Sequence, residues 1–530
     1  MEDAGKVERM MGMPIEPALH EGGVFVEGGD GDLESVSPIF SIPYYYMPII
    51  FETLIDLHPI DYQPVGNLAA AWEALDDGSA WLITLRDGVT WHDGEAFNAD
   101  DVKTTFDLHM NEETGSSSTF YLNEMIEGVE IVDDRTIRFD LKDVIVDFLI
   151  EPLTRILIGA EHILTMVPPA ELQQHASSTG EDPAMVVGTG AFKFAEWVPG
   201  DHTRLVRYDE YWDGRPHLDE FVYVALQSQA NGAVLLKTGE IDFTFELSPL
   251  QAPEFDGTDV QIIEYPSLGS RFLALNLDEA QTTLFQDVRV RQALRYAIDT
   301  VTITETVMDG YATPADQIYP PYSPYYDAEG VTVKYGYEPE TARQLLDEAG
   351  WLEGADGVRE KDGQPFSFTA WTRIGDEERA NVLTAIQEYF REVGVQMDVQ
   401  LEQNDALEER TDQRHDFEAV LDSDFQSSVP DQTYLWACDA YPNGANYFKY
   451  CNPEVDELLA QGLVELDPVK RKEIYTQFQN LVLADLPVIP LYFLHWTMGL
   501  NNRVHNYFPG YVGVYVDRFN AETWWVEPVG

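Results

Sequence analysis

The sequence predicts an α/β protein built from more than one domain, and three observations carry that reading. At 530 residues the chain is long for one hydrophobic core. Glu377–Val393 reads as a helix stopped by Gly394, after which Val395, Met397, Val399 and Leu401 alternate as a strand. Helix, glycine, strand is the unit from which α/β domains are assembled. Further upstream, Trp81–Leu85 alternates apolar and polar residues as a half-buried strand does, and a helix follows it after two turns.

Taken in order, the first twenty residues are polar and rich in Met and Pro, and are expected to fray. Gly22–Glu27 reads as the first strand, and Leu33–Pro48 as a loop carrying Tyr44, Tyr45 and Tyr46. The stretch Leu85–Val102, LRDGVTWHDGEAFNADDV, holds two Asp-Gly turns at Gly88 and Gly94, where glycine accepts a positive φ. Asn98 then caps a helix with Val102, Thr105 and Phe106 on one face. His92 is a structural turn histidine on this reading, because no second metal ligand stands at helical spacing from it. Asn111–Thr119 and Ser177–Pro183 read as polar connectors, the second leading into the Gly188-Thr189-Gly190 turn. Asp287 caps a helix whose Val290, Ala293, Leu294, Ala297 and Ile298 form one apolar stripe, with Arg289, Arg291 and Arg295 elsewhere. Pro339 and Gly350 bracket a helix carrying Ala342, Leu345, Leu346 and Ala349. No internal repeat or low-complexity tract interrupts these elements.

With 44% hydrophobic and 12% aromatic residues the chain can build its cores. Its charge is extreme, 94 Asp and Glu against 32 Lys and Arg, a formal net of −62. Such a surface repels nucleic acid and anionic membranes, which removes polyanion binding from consideration. One source of this acidity is adaptation to high salt, where screening shortens the range of self-repulsion; the alternative is an acidic secreted protein from an ordinary habitat. The saline reading predicts a urea midpoint that climbs from low to molar salt, and a flat midpoint would favour the alternative. The start Met1–Ala4 lacks the basic and apolar regions of a signal peptide, as expected of a mature or trimmed form. The most apolar region, Val144–Ala160, is interrupted by Asp147, Glu151, Pro152 and Arg155 and does not read as a membrane span.

Several segments carry a family likeness. Besides Leu85–Val102 these are Asn67–Gly88, Gly188–Asp201 (GTGAFKFAEWVPGD), Tyr208–Phe221 (YDEYWDGRPHLDEF), Leu236–Phe243, Phe285–Asp299, Tyr337–Trp351, and CNPEVDELLAQG with DLPVIPLYF near the C-terminus. In this order and spacing the chain resembles the extracytoplasmic solute-binding proteins of ABC importers, peptide/nickel family 5. The resemblance implies a periplasmic-binding-protein-like fold of type II, two lobes around a cleft with an extra inserted subdomain. Lobe I would comprise 21–50, 187–265 and 487–530, the inserted subdomain 51–186 and lobe II 266–486. It places the protein outside the cytoplasm, in the periplasm or on the outer face of the membrane. A lipobox cysteine common in lipid-anchored relatives is missing here, and processing could have removed it. In an exported protein, Cys438 and Cys451 suggest a disulfide closing a short loop, worth about 3 kcal/mol in the chain-entropy model; two buried thiols are the alternative. Their spacing matches no four-ligand metal site.

The site residues follow from strand alternation and from the resemblance. In Phe366–Arg373, FSFTAWTR, Phe366, Phe368 and Ala370 share a core face, which leaves Ser367, Thr369, Trp371 and Arg373 on the other. Arg373 falls where dipeptide-binding relatives place a carboxylate-binding arginine, a contact worth about 1.5–3 kcal/mol; a surface arginine paired with a nearby acid is the plain alternative. In Leu421–Asp431, LDSDFQSSVPD, peptide-binding relatives run through a Gly-Trp pair to an aspartate that pairs with the ligand ammonium. Here Phe425 replaces that tryptophan and Ser428 that aspartate, while Asp422 stands where oligopeptide binders can carry an arginine. A buried ammonium lacking its carboxylate is costly, so a peptide with a free amino terminus would need Asp422 or Asp424 as the substitute. Tyr44, Tyr45, Tyr121, Trp436, His495 and Trp496 fall at positions that line the cleft in relatives, although each ring suits a core equally well. Asn276 is expected to fix backbone rather than to touch solute.

The function expected is a receptor that captures a peptide-like or carboxylate-bearing solute by lobe closure and hands it to a membrane permease. It would act as a monomer, with no cofactor and no covalent chemistry. An oligosaccharide is the second ligand class and a nickel chelate the third, with no His/Cys cluster to support naked metal. A secreted hydrolase is the rival class; GxSxG, HExxH and P-loop patterns are all missing.

Overall fold

The structure, a computed structural model, describes residues 15–41, 46–59, 62–75, 78–245, 247, 249–425, 429–442, 444–508, 518 and 520–528. The chain forms two compact units, 1–265 with 496–530, and 266–495. It leaves the first unit within the strand Val260–Leu275 and re-enters it within the strand Val488–Asn501.

In the first unit the opening strand runs Val24–Asp30, two residues later than expected, because Gly22 and Gly23 both take positive φ. It pairs in parallel with Glu220–Leu226 and with Phe243–Thr244, and the sheet continues antiparallel through His202–Arg207 to Phe192–Val198. A core of Phe25, Tyr46, Phe221, Tyr223 and Trp524 packs on it. Residues 54–187 gather a separate core around a four-stranded antiparallel sheet, ordered Ala69–Leu75, Ala80–Leu85, Thr136–Leu141, Ile126–Asp133.

The Leu85–Val102 segment builds as its residues dictate. Gly88 and Gly94 have φ of 77° and 94°, and Asn98 closes a capping box with Asp101 on the helix Ala99–Met110. His92 is buried between the backbones of Gly188 and Gly190. The Gly188 amide donates to Nδ1 at 3.1 Å, which places the ring proton on Nε2 for donation to the Gly190 carbonyl at 2.9 Å. His92 is therefore structural, as its sequence context indicated. Of the connectors, Asn111–Thr119 contains a 3-10 turn at Glu112–Thr114, and 177–183 begins inside the short helix Ala176–Thr179. The expected fraying of the first twenty residues falls largely outside the described residues.

The second unit holds a sheet ordered Gln396–Glu402, Ser367–Arg373, Ala419–Phe425 and then the strand ending at Leu275, the first three mutually parallel. Alternate residues feed different cores: Leu273, Leu275 and Leu421 pack with the helices Val288–Ala297 and Glu377–Glu392, while Phe272, Ala274 and Val420 pack with Tyr475 and Phe478. A parallel sheet covered on both faces is the α/β class predicted. Asp287 and Pro339 start their helices as expected, Asp376 caps the helix Glu377–Glu392, and Gly350 and Gly394 follow the helix ends with positive φ. The apolar stripe from Val290 to Ile298 is buried, but Arg291 and Arg295 are buried too. Arg291 donates to the carbonyls of Phe285, Gln286 and Asp485 at 2.6–3.1 Å, and Arg295 to those of Ile298 and Tyr335. These arginines staple loops whose carbonyls the helix period alone does not reveal. Asn276 holds backbone as expected, donating to the carbonyls of His415 and Phe417 and accepting from the Asp278 amide. Cys438 and Cys451 form a disulfide.

Candidate functional site

Open parallel sheets present their loops and helix starts at the carboxyl ends of the strands, and ligands bind there. In the second unit those ends are Arg373, Glu402 and the Asp422–Phe425 segment, and the helix Glu377–Glu392 begins beside them with Asp376 as its cap. The alternation of Ser367–Arg373 is as predicted: Phe368, Ala370 and Thr372 are buried, and Thr369, Trp371 and Arg373 half-buried.

Arginines crowd this edge. Arg379, in the first turn of the helix and 3% exposed, lies 3.1 Å from Asp376 and 3.3 Å from Asp422, and donates to Ser423 Oγ at 2.8 Å. Burial lowers its pKa, and the Arg271 charge adds to that. Arg271 sets its Nε and Nη2 on Glu378, which also accepts from Tyr492 at 2.7 Å. Burial pulls the Arg271 pKa down, but Glu378 and its neighbours outweigh it and the net shift is upward. Arg410 pairs with Glu402 at 2.7 Å and lays its guanidinium over the Trp371 ring, 3.9 Å from the centroid. Trp371 thus carries a cation from its own chain on one face, which alternation alone could not reveal. Asp422 is claimed by Arg379 and by Tyr447, whose hydroxyl donates to it at 2.9 Å; burial drives that hydroxyl's pKa well up, and Asp422 adds to it.

Arg373 differs from these three. It makes no hydrogen bond to any described residue, and its nearest carboxylate oxygens lie 3.9 Å away on Asp422 and Glu408; its Nε is buried without an acceptor, as are Arg271 Nη1 and Arg379 Nε. It keeps 37% of its side chain exposed, so its donors remain available on the solvent side.

The other expected residues fall as follows. Asp424 accepts from the Tyr434 hydroxyl at 2.5 Å, and lines a cavity of the second unit together with Trp436. Trp436 is 2% exposed and donates its indole N–H to Gln432 Oε1 at 2.7 Å, so its ring is largely core. His495 Nε2 lies 2.7 Å from Thr313 Oγ1. Tyr121 and Trp496 belong to the first unit and to different cores: Tyr121 packs on the core of the four-stranded sheet, and Trp496 tilts against Tyr265 at 6.0 Å. Burial raises the Tyr121 hydroxyl pKa. Tyr44, Tyr45 and Ser428 lie outside the described residues, and Phe425 is described only as the last residue of its strand. Sequence reasoning missed Arg271, Arg379, Arg410 and Gln432. A signal existed for Arg379 alone, a cation six residues beyond Arg373 in an otherwise acidic first turn.

The geometry can be set beside known proteins. The family model of bacterial extracellular solute-binding proteins, family 5 Middle, matches residues 63–446. The chain is 31% identical over 469 residues to the oligopeptide-binding protein AppA of Bacillus subtilis (strain 168), covering 87% of this chain and 83% of that one. It is 29% identical over 443 residues to the glutathione-binding protein GsiB of Pectobacterium atrosepticum, covering 81% and 80%. Among solved structures, AppA from Bacillus subtilis in complex with a nonapeptide aligns at a TM-score of 0.72 with 27% identity, covering 96% of this chain and all of that one. The ABC transporter substrate binding protein CtaP of Listeria monocytogenes aligns at 0.81 with 25% identity, covering 96% and 99%.

Proposed function

The chain belongs to the bacterial extracellular solute-binding proteins of family 5, and from that premise we propose that it captures a peptide-like solute whose carboxylate is received by Arg373. The observation that carries this reading is the Arg373 guanidinium, held only by two long ion pairs of 3.9 Å and set at a strand end beside arginines that all have hydrogen-bonded partners. An arginine with open donors matches a carboxylate in a two-point geometry that lysine cannot offer. The ligands named for its relatives, an oligopeptide for AppA and glutathione for GsiB, are peptides. They favour a peptide over an oligosaccharide.

In this reading 266–486 forms lobe II, the segments 21–50, 187–265 and 487–530 form lobe I, and 51–186 is a subdomain inserted into it. The separate core of residues 54–187 supports the insertion. A guest that touches both lobes stabilises the closed state over the open one, so binding drives closure and no covalent step is needed. The closed form would then be presented to the transmembrane subunits of an ABC importer. Asp424, which also accepts from the Tyr434 hydroxyl, is the candidate carboxylate for a ligand ammonium, with Trp371, Trp436, Tyr121, His495 and Trp496 as lining candidates.

Titration calorimetry of short peptides against their C-terminal amides tests this. The free acid should bind about 10- to 100-fold tighter, as expected for a charged hydrogen bond of about 1.5–3 kcal/mol. Arg373→Leu should remove that preference and leave binding of the amide unchanged. Equal affinity for acid and amide would overturn the assignment.

A further inference from the structure

Asp422 stands between two arginines, Arg379 and Arg373. Its Oδ1 accepts from the Ser423 amide at 2.8 Å and from Arg379 Nη1 at 3.3 Å, while Arg373 Nη2 lies 3.9 Å from the same oxygen. Its Oδ2 has one partner among the described residues, the Tyr447 hydroxyl at 2.9 Å. The carboxylate is thus gripped at both oxygens, and Arg373 is the donor left outside hydrogen-bond range. An aspartate side chain turns about two bonds, and closing the gap to Arg373 needs a shift of only about 1 Å. An Asp422 free to turn would therefore occupy the guanidinium that a ligand carboxylate must reach.

The hydroxyl that prevents this comes from a pinned loop. Tyr447 is buried, and its ring meets those of Phe417 and Phe448 edge-on at 5.8 and 5.5 Å, so apolar packing alone seats it. Beside it Asn446, also buried, donates to the carbonyls of Ala437 and Tyr450 at 3.0 and 2.7 Å and accepts from the Tyr450 amide at 3.0 Å. The Cys438–Cys451 disulfide closes the same stretch of chain. A phenylalanine would fill the same space, and a hydroxyl in such a core is costly unless it is bonded. Its bond goes to Asp422. Burial keeps the hydroxyl protonated, with Asp422 adding to the effect, so it remains a donor across the neutral range.

We propose that Tyr447 is a positioning residue for solute capture: its hydroxyl keeps the Asp422 carboxylate turned to Arg379 and so leaves Arg373 open to the ligand. Tyr447 acts through Asp422 and needs no contact with the solute. The inference rests on the reading of Arg373 as the receiver of a carboxylate, and adds the group that sets how strongly Arg373 is contested.

The test is calorimetry with trialanine and trialanine amide, read as the ratio of their affinities. Tyr447→Phe should lower the acid-to-amide ratio about fivefold, the effect expected of a partly exposed ion pair, with the loss falling on the free acid. Asp422→Asn keeps an acceptor for Tyr447, removes the competing charge, and should raise the ratio. With both substitutions the ratio should match that of Asp422→Asn alone, because no charge is left at position 422 to swing. A ratio unchanged in Tyr447→Phe, an equal loss for acid and amide, or a second fall in the Asp422→Asn background would overturn the role of Tyr447 and leave Arg373 as the receiver. A wild-type protein that binds acid and amide alike, or binds neither, would overturn Arg373 itself, and the role of Tyr447 with it.

Discussion

Gly188→Ala should destabilise the first unit by about 3 kcal/mol, the upper end of what overpacking costs. A Cβ built on Gly188 would sit 1.8 Å from the carbonyl oxygen of Ile50, and one on Gly190 would sit 2.4 Å from that of Ile49. Neither glycine is required by a positive φ; each is required by the close approach of another backbone, which cannot rotate away as a side chain tip can. The displacement would also carry off the Gly188 amide and carbonyl, which bind the His92 ring and the His92 amide at 3.1 and 2.9 Å. One methyl group thus strains two chain segments and opens a buried imidazole. Gly200→Ala is the control: φ is 75° there with nothing within 4 Å of the added methyl, so only the backbone cost of about 1 kcal/mol applies. Urea unfolding followed by circular dichroism should show a much lower midpoint for the first variant than for the second. Equal midpoints would mean that the Ile50 backbone yields.

The sequence made this corner legible only in part. The two Asp-Gly turns, the Asn98 cap and the structural role of His92 follow from residues within one short window, where chain geometry is local. That His92 is gripped by residues 188 and 190 depends on a contact across almost a hundred positions, and no period encodes it. The strand Ser367–Arg373 was readable because alternation is a local rule, and it put Trp371 and Arg373 on the correct face. What the face looks at was not readable: Arg410 on Trp371, and Arg379 and Tyr447 on Asp422, arrive from other elements. The helix stripe at 290–298 shows the same boundary. Periodicity found the apolar residues, but Arg291 and Arg295 are buried because distant carbonyls need donors. The family likeness supplied what local pattern could not, a discontinuous fold class, a function and the candidate Arg373, while the partners around Arg373 came from the geometry.

Acid should destabilise the first unit through two buried neutral histidines. His92 is pushed down from 6.5 to about 4, chiefly by burial, against the opposing pull of its bond to Gly190, with Lys193 lowering it further. His109 is pushed down to about 4 by burial alone, with Nδ1 2.7 Å from Ser116 Oγ and Nε2 buried without a partner. Both lie in residues 1–265. For each, the unfolded chain takes up a proton near pH 6.5 while the folded one resists until about 4. Between those values the unfolded state binds more protons, so stability falls as pH falls. The stabilisation is fully present above pH 6.5 and is lost by about pH 4, amounting to about 3 kcal/mol for each histidine. Glu27 and Asp101 work the other way, since burial raises their carboxyl pKa values and favours the folded state as they protonate. The comparison must therefore be between variants and not on the parent curve alone. In His109→Gln the fall in unfolding free energy between pH 6.5 and 4 should shrink by about 3 kcal/mol, whatever the substitution costs at neutral pH. An unchanged slope in that variant would mean that His109 is protonated in the folded chain, with an acceptor reaching Nε2.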